Sequence, residues 1–239
     1  MLLALPDMES LMQVFALFRA RLSLQAFEFF TDLALNHVLE HGAQRAIDGD
    51  YPYYVVAEFD AIDEKTQDIA LATFEHAVEQ GWVSDGVLAQ SDAQAAALWR
   101  LREGITESLA PHRPYKNDVS VRVSAVPDFL QEMQALLAAE YPHIEVVWFG
   151  HIGDGNLHIN VLRPADLDEA EFIAQCDHVT KLLAAPGPCW AHSATSQRSD
   201  SLLRAQVNTA SCTRPDMYGM VRWVAKTATP CSRLELVLR

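Results

Sequence analysis

The segment 148–160 constrains the fold of this chain more than any other stretch of its sequence. Asp154-Gly155 stands between two apolar runs, and this pattern predicts a β-hairpin because a tight primed turn needs residues that tolerate positive φ. A turn centred on that pair places His151 directly opposite His158, with Cβ atoms about 4.5–5.5 Å apart. Side chains two residues apart share one face of a strand, so Asn160 joins the two histidines. The opposite face then carries the apolar side chains of Ile152, Leu157 and Ile159 into a core.

The two predicted imidazoles have three possible roles. They can share a transition-metal ion such as zinc, or act as a general base and an oxyanion partner. They can also be structural groups that bond to the backbone or to Asp154. Gly150, Gly153 and Gly155 favour a functional role, because glycines leave the backbone open to a ligand. We therefore take His151 and His158 as candidate catalytic and metal-binding residues.

Hydrophobic periodicity along the rest of the chain predicts alternating strands and helices. Strands are predicted at 51–59, 86–90, 119–123, 145–149 and 157–162. Helices are predicted at 8–41 with an interruption near Ser23, at 63–79, 93–109 and 166–183, and from Pro127 onwards. The order predicts a helical lead-in over about residues 1–48, followed by an α+β fold with a mainly antiparallel sheet and helices packed on it.

Composition excludes several classes of protein. The chain has 239 residues, and its 32 acidic and 18 basic side chains give a formal net charge of −14. Such a charge argues against general binding to the anionic backbone of nucleic acids. The sequence has no run of about 18 apolar residues, and no basic segment precedes its N-terminal apolar stretch, so we expect neither a membrane span nor a secretory signal. Four cysteines without paired spacing fit a reducing, cytoplasmic location.

The character of the chain changes after residue 185. Residues 1–185 carry 29 acidic and 11 basic side chains, whereas residues 186–239 carry 3 and 7. The second segment holds three of the four cysteines and is rich in Ser and Thr, and Pro186-Gly187-Pro188 separates the two. We therefore predict one domain over residues 1–185 and an atypical tail over 186–239, which is either poorly ordered or translated out of frame.

Three segments resemble one known family. The string 150–160, GHIGDGNLHIN, is similar to the hallmark of the C-terminal domain of FAD-linked oxidases, the group that contains D-2-hydroxyglutarate dehydrogenase, D-lactate dehydrogenase and the glycolate oxidase large subunit. The segment 98–105 resembles the Trp-x-x-Arg-Glu helix of that family, and 115–124 with Pro127 resembles its Lys-x-Asp-Val strand. The resemblance covers roughly residues 50–185.

The resemblance implies a fold, a reaction and a set of site residues. In that family an antiparallel sheet of ferredoxin-like character caps an FAD that a separate N-terminal domain holds, and the reaction oxidises a D-2-hydroxy acid to a 2-oxo acid with hydride transfer to the flavin. A divalent metal, which we expect to be zinc, would lie on His151 and His158, and one histidine would take the hydroxyl proton. Arg102 would bind the substrate carboxylate, and the further substrate contacts would be Thr106, Lys116 and Asn160.

Elementary chemistry agrees with these roles without requiring them. The guanidinium of Arg102 can bind a carboxylate with two hydrogen bonds, and Thr106 lies four residues further along the same helix. Without the resemblance, an exposed helix residue paired with a neighbouring glutamate is an equally good interpretation of Arg102. Lys116 could likewise form a surface ion pair with Asp118.

The chain also departs from the family pattern. No phosphate-cradling Gly-rich segment is present, and residues 186–239 lack the Ser-x-Glu-His-Gly-x-Gly motif, whose glutamate would be the third metal ligand. We therefore expect this chain alone to be catalytically inactive and to depend on a separate FAD-binding domain or subunit. The alternatives are a non-catalytic docking module for a flavoprotein subunit and, less favoured, a stand-alone metal hydrolase that uses His151 and His158.

Overall fold

A computed structural model of the protein describes residues 1–184. Its strands are β1 (Leu2–Leu5), β2 (Leu24–Thr31), β3 (Tyr53–Phe59), β4 (Asp85–Val87), β5 (Tyr115–Ser120), β6 (Val146–His151) and β7 (Asn156–Val161). Its α-helices are α1 (Met8–Arg21), α2 (Asp32–Glu40), α3 (Glu64–Glu79), α4 (Asp92–Glu103), α5 (Ile105–Leu109), α6 (Val126–Glu140) and α7 (Glu169–Ala184).

Polar residues mark where several helices begin. The side-chain oxygens of Asp7, Asp63 and Ser91 accept hydrogen bonds from backbone N–H groups in the first turns of α1, α3 and α4. Each bond satisfies one of the donors that a helix start leaves without an intrahelical partner. Pro127 lies in the first turn of α6, where a missing N–H costs nothing.

The strands form one antiparallel sheet with the order β4-β1-β3-β2-β6-β7-β5. The first four strands, with α1 after β1 and α3 after β3, have the connectivity and order of a ferredoxin-like βαββαβ unit. The succession β5-α6-β6-β7-α7 repeats the first five elements of that unit with the same relative strand order. The two units join where β2 pairs with β6, and this arrangement confirms the expected α+β class and its ferredoxin-like character.

Helices cover both faces of the sheet and enclose two apolar cores. Side chains of α1, α3, α6 and α7 pack on one face around Phe18, Phe29 and Phe129, which are fully buried. Side chains of α2, α4 and α5 pack on the other face around Phe30 and Tyr54, whose rings are stacked 5.6 Å apart. The second core spans only part of its face, because the neighbouring part of that face carries polar side chains.

The predicted helical lead-in over residues 1–48 is wrong in part. Strand β1 lies at its start, and strand β2 lies in the middle of the helix that was expected at 8–41. Strand β2 is central in the sheet and is buried on both faces over residues 27–30, so strict alternation is broken where Phe30 follows Phe29. Without that alternation, spacings of three and four among apolar residues imitate a helix.

The other predicted elements are present with small shifts of their ends. The helix expected at 93–109 is divided at Gly104 into α4 and α5, and the strand expected at 119–123 is β5, which begins and ends earlier. No helix within residues 1–184 is long and apolar enough to cross a bilayer. The predicted domain boundary after residue 185 and the atypical tail lie outside the described residues, so both stay predictions.

Candidate active site

The hairpin β6–β7 has a different register from the one expected. His151 pairs with Asn156, and His158 pairs with Phe149, so the prediction that the two histidines are directly opposite is wrong. The connecting turn has four residues, 152–155, and is closed by a hydrogen bond from Gly155 N to Ile152 O of 3.3 Å. A shift of two residues keeps every side chain on its face, whereas a shift of one would exchange the faces.

The expected separation of polar and apolar faces is therefore confirmed. Ile152, Leu157 and Ile159 are fully buried in the first core. The register places His151, His158 and Asn160 together on the opposite face. The ring centroids of the two histidines are 5.1 Å apart, and their planes are nearly perpendicular at 80°.

Two of the three glycines serve close backbone approach rather than an open ligand site. A Cβ on Gly150 would lie 2.3 Å from the carbonyl oxygen of Asn156, and one on Gly155 would lie 2.0 Å from that of Val121. Gly155 also has a positive φ of 71°, which a glycine adopts without strain. Around Gly153 a Cβ would meet nothing within 4 Å, so this glycine alone agrees with the prediction of an open backbone.

Each of the two histidines forms a hydrogen bond through its Nδ1 atom with a carboxylate. His151 Nδ1 donates to Glu28 Oε1 at 2.6 Å, and His158 Nδ1 donates to Asp118 Oδ1 at 2.5 Å. The two Nε2 atoms then point at each other across 3.2 Å. Strand pairing explains this convergence, because Glu28 on β2 faces His151 on β6, and Asp118 on β5 faces His158 on β7.

The carboxylates determine which ring nitrogens carry protons. An ionised carboxylate only accepts hydrogen bonds, so the Nδ1 atom of each ring is the protonated one. A neutral ring of that tautomer has a lone pair on Nε2. Two such lone pairs 3.2 Å apart repel each other unless a proton or a cation lies between them. The pair is therefore arranged to share a positively charged species.

Glu28 also binds Arg102, the residue expected to hold the substrate carboxylate. Glu28 Oε2 accepts from Arg102 Nη2 at 3.0 Å, and both side chains are only 9% exposed. The Arg102 guanidinium carbon lies 4.7 Å from the centroid of Phe149, and the Phe149 ring lies 5.0 Å from that of His158. Arg102 Nε is buried and has no hydrogen-bond partner among residues 1–184. Arg102 is therefore a buried member of the cluster rather than an exposed helix residue.

The pKa shifts follow from these contacts. The hydrogen bond to Glu28 raises the pKa of His151 above its ordinary 6.5, although burial opposes this. The hydrogen bond from His158 lowers the pKa of Asp118 below its ordinary 3.8. Burial lowers the pKa of Arg102, and the neighbouring Glu28 carboxylate opposes that change. Glu28 thus lies between Arg102 and His151 and favours the cationic form of His151.

The remaining predicted substrate residues differ in their placement. Asn160 is buried on the same face as the histidines, and it pairs across the sheet with Lys116. Lys116 is exposed and close enough to Asp118 to lower the pKa of that carboxyl. Thr106 lies exposed in α5, beyond the helix break at Gly104. Lys116 and Asn160 therefore lie on the strands that carry Asp118 and His158, and Arg102 reaches the histidines through Glu28, whereas Thr106 lies in the following helix.

Sequence reasoning missed two acidic residues of the site. Asp118 was considered only as a partner of Lys116, although the alternation of β5 places both on the face that meets His158. Glu28 could not be placed at all, because its segment was interpreted as helical. Within residues 1–184, no group of three or more His, Cys, Asp and Glu side chains is positioned to hold a metal ion.

Comparison with known proteins gives a consistent result. The family model described as FAD linked oxidases, C-terminal domain, matches residues 1–208. A D-2-hydroxyglutarate dehydrogenase of Xanthomonas citri pv. viticola is 68% identical over 184 residues, which is 77% of this chain and 39% of the relative. A protein of the same name from Stutzerimonas stutzeri is 50% identical over 182 residues, 76% of this chain and 39% of the relative. The chain thus spans about two fifths of the length of these curated relatives.

Proposed function

Because this chain belongs to the FAD linked oxidase C-terminal domain family, we propose that it forms the substrate-binding part of an FAD-dependent D-2-hydroxy acid dehydrogenase. The substrate that the names of its relatives favour is D-2-hydroxyglutarate. The observation that carries the proposal is the cluster in which Arg102, Glu28, His151, His158 and Asp118 follow one another by direct contacts. In this proposal FAD is held mainly by a separate domain or subunit.

The two histidines fit two positions of a divalent metal site. Tetrahedral zinc with bonds to nitrogen of about 2.0–2.1 Å separates two of its nitrogen ligands by about 3.3 Å. The Nε2 atoms of His151 and His158 are 3.2 Å apart. Carboxylates on the opposite ring nitrogens are the usual outer partners of metal-bound histidines. A third protein ligand would come from outside residues 1–184.

The groups that the reaction needs have separate roles. A bound metal supplies Lewis-acid polarisation of the substrate hydroxyl and carboxylate, and FAD supplies the hydride acceptor. Arg102 and Lys116 contribute positive charge that attracts an anionic substrate to an otherwise acidic protein. Asn160 offers an amide to the substrate, and Thr106 offers a hydroxyl from the next helix.

The roles of ligand and general base exclude each other for His151 and His158. An imidazole that donates from Nδ1 and binds a metal through Nε2 has no lone pair left for a substrate proton. We therefore assign both histidines to metal binding in the loaded site. The general base would be another group, and a metal-free site would leave one histidine available for that role.

Activity with a complementing flavoprotein part tests the proposal. The full chain is mixed with FAD and with the part of the Xanthomonas relative that lies outside the aligned 184 residues, and reduction of an artificial electron acceptor is followed. We expect turnover with D-2-hydroxyglutarate, little with its L enantiomer, and none with the chain alone. Turnover by the chain alone, or no preference for D-2-hydroxy acids in the mixture, would contradict the proposal.

The same mixture separates catalysis from docking. A His151→Ala chain that still co-purifies with the flavoprotein part but supports no turnover agrees with a catalytic role. If the His151→Ala chain supports full turnover, the cluster is dispensable and the chain is a docking module.

A further inference from the structure

Glu28 is a buried carboxylate with both of its oxygens in use. It lies on the central strand β2, and its side chain is 9% exposed. Oε1 accepts from His151 Nδ1 at 2.6 Å, and Oε2 accepts from Arg102 Nη2 at 3.0 Å. Burying an ionised carboxylate is strongly unfavourable unless charged or hydrogen-bonding partners compensate it. Because Glu28 lies between Arg102 and His151, both groups of the proposed site, we look for a role beyond packing.

We infer that Glu28 is a positioning residue that sets the tautomer and orientation of His151 for metal binding. It also fixes the position of Arg102 relative to His151. This inference rests on the proposed function. The carboxylate accepts the proton-bearing Nδ1 of His151, so Nε2 keeps its lone pair and faces the Nε2 of His158. Without that acceptor, the ring could take the other tautomer or rotate.

The two carboxylates behind the histidines differ in exposure. Asp118, which holds His158, is 46% exposed, whereas Glu28 is 9% exposed. Water can replace a hydrogen bond at Asp118, but it has little access to Glu28. Loss of the Glu28 carboxylate should therefore disturb its histidine more than loss of the Asp118 carboxylate disturbs His158.

The contact with Arg102 extends the role of Glu28 to the substrate side. The guanidinium is fixed from one side by Glu28 and lies against the Phe149 ring at 4.7 Å. One carboxylate thus fixes the distance between the proposed anion-binding group and the proposed metal ligand. Binding of an anionic substrate to the metal-loaded site should be weakened by the same substitution that weakens metal binding.

Glu28→Gln is the most informative substitution because it conserves shape. A glutamine has one acceptor oxygen and one donor NH₂ group, so it can accept from either His151 or Arg102 but must present a donor to the other. Zinc is titrated into the full chain in competition with a chromophoric chelator. We expect Glu28→Gln to bind zinc about 10–100-fold more weakly than the wild type, the range typical of lost outer-sphere partners.

Two further variants control for general effects of the substitution. Glu58→Gln alters a carboxylate on the adjacent strand β3 that accepts from Trp99 Nε1 at 2.9 Å, outside the cluster, and should leave zinc affinity within about twofold. Glu28→Asp keeps the carboxylate on a shorter side chain and should recover part of the affinity. Equal losses in Glu28→Gln and Glu58→Gln, or an unchanged affinity in Glu28→Gln, would overturn the inference.

Nitrogen-15 NMR of the histidine rings gives a readout that does not depend on metal. At a pH high enough for the ring to be neutral, we expect His151 of the zinc-free wild type to carry its proton on Nδ1, and in Glu28→Gln we expect a mixture of tautomers. A wild type with the proton on Nε2 would overturn the inference even if Glu28→Gln does not fold. If the wild type binds no zinc, the proposed metal site fails, but the tautomer measurement still decides the role of Glu28.

Discussion

The two faces of the hairpin β6–β7 are built from the same two paired strands of six residues each and have opposite properties. One face presents Trp148, Leu157 and Ile159, which are at most 4% exposed and belong to the apolar core. The other face presents His151 and His158, which are 39% and 22% exposed and are bonded to carboxylates. The comparison teaches that period-two alternation places the side chains that stabilise the fold and those of the candidate site on opposite faces of one hairpin.

The separation depends on what covers each face. The apolar side belongs to the core that α1, α3, α6 and α7 help to form, so its side chains exclude water. On the other side the apolar core formed with α2, α4 and α5 gives way to the polar cluster. Substitutions on the apolar face should therefore change unfolding free energy, and substitutions on the polar face should change ligand binding.

The largest effect on stability is expected on the apolar face. Leu157→Ala removes a fully buried side chain and should lower the free energy of unfolding by about 2–5 kcal/mol. The zinc affinity of the folded fraction should hardly change, because the neighbouring His158 lies on the opposite face of the hairpin and keeps its position. Urea denaturation and zinc titration measure the two quantities. A Leu157→Ala protein of wild-type stability would break the contrast between the faces.

The largest effect on metal binding is expected on the polar face. His158→Gln removes one of two proposed imidazole ligands, and its effect should exceed the roughly 10–100-fold loss typical of an outer-sphere partner. The unfolding free energy of the zinc-free chain should change less than in Leu157→Ala, because His158 is partly exposed. Zinc affinity that survives this substitution would place the ion elsewhere.

The turn between the strands offers a matched pair of glycines. Gly155→Ala puts a Cβ at positive φ and 2.0 Å from Val121 O, and should lower the free energy of unfolding by about 1–3 kcal/mol or more. Gly153→Ala meets no atom of residues 1–184 within 4 Å and should be close to neutral. Thermal unfolding of the two variants compares them directly, and equal melting temperatures would contradict the described turn.

The smallest effect concerns pH. The raised pKa of His151 adds stability that is present below the ordinary histidine value of 6.5 and is lost as pH rises through the folded pKa. The lowered pKa of Asp118 adds stability that is present above the ordinary value of 3.8 and is lost as pH falls through the folded pKa. The zinc-free chain therefore gains from both contacts between pH 3.8 and 6.5.

Bound zinc should reverse the way in which stability depends on pH through His151. Protons compete with the metal for Nε2, so zinc affinity should fall as pH decreases, beginning above pH 6.5 because the pKa of His151 is raised. Melting temperatures across this range, with and without zinc, test the prediction. Identical pH profiles in the two conditions would argue against metal binding at the histidines.

The sequence predicted the face of each hairpin residue better than its exact partner. Alternation alone assigned His151 and His158 to one face and Leu157 and Ile159 to the other, and the structure confirms it. The register differs by two residues because the turn has four residues rather than two. Turn length depends on local hydrogen bonds, such as the one from Asn156 N to Asp154 Oδ1, that a dipeptide pattern does not reveal.

Glu28 shows what a single sequence could not provide. Its strand is central and buried on both faces, and the alternation that identifies a strand is interrupted where Phe30 follows Phe29. Its contacts to Arg102 and His151 span 74 and 123 positions along the chain, and only the strand order brings them together. The helices α3 and α6, by contrast, were predicted because their N-terminal signals and apolar periods are local.

X-ray absorption at the zinc edge of the zinc-loaded full chain tests most directly whether His151 and His158 share a metal ion. The account predicts a first shell of nitrogen and oxygen at about 2.0–2.1 Å, with multiple scattering from two imidazole rings that disappears in the His151→Ala, His158→Ala double variant. A first shell of sulfur at about 2.3 Å, or a spectrum without imidazole scattering, would contradict it.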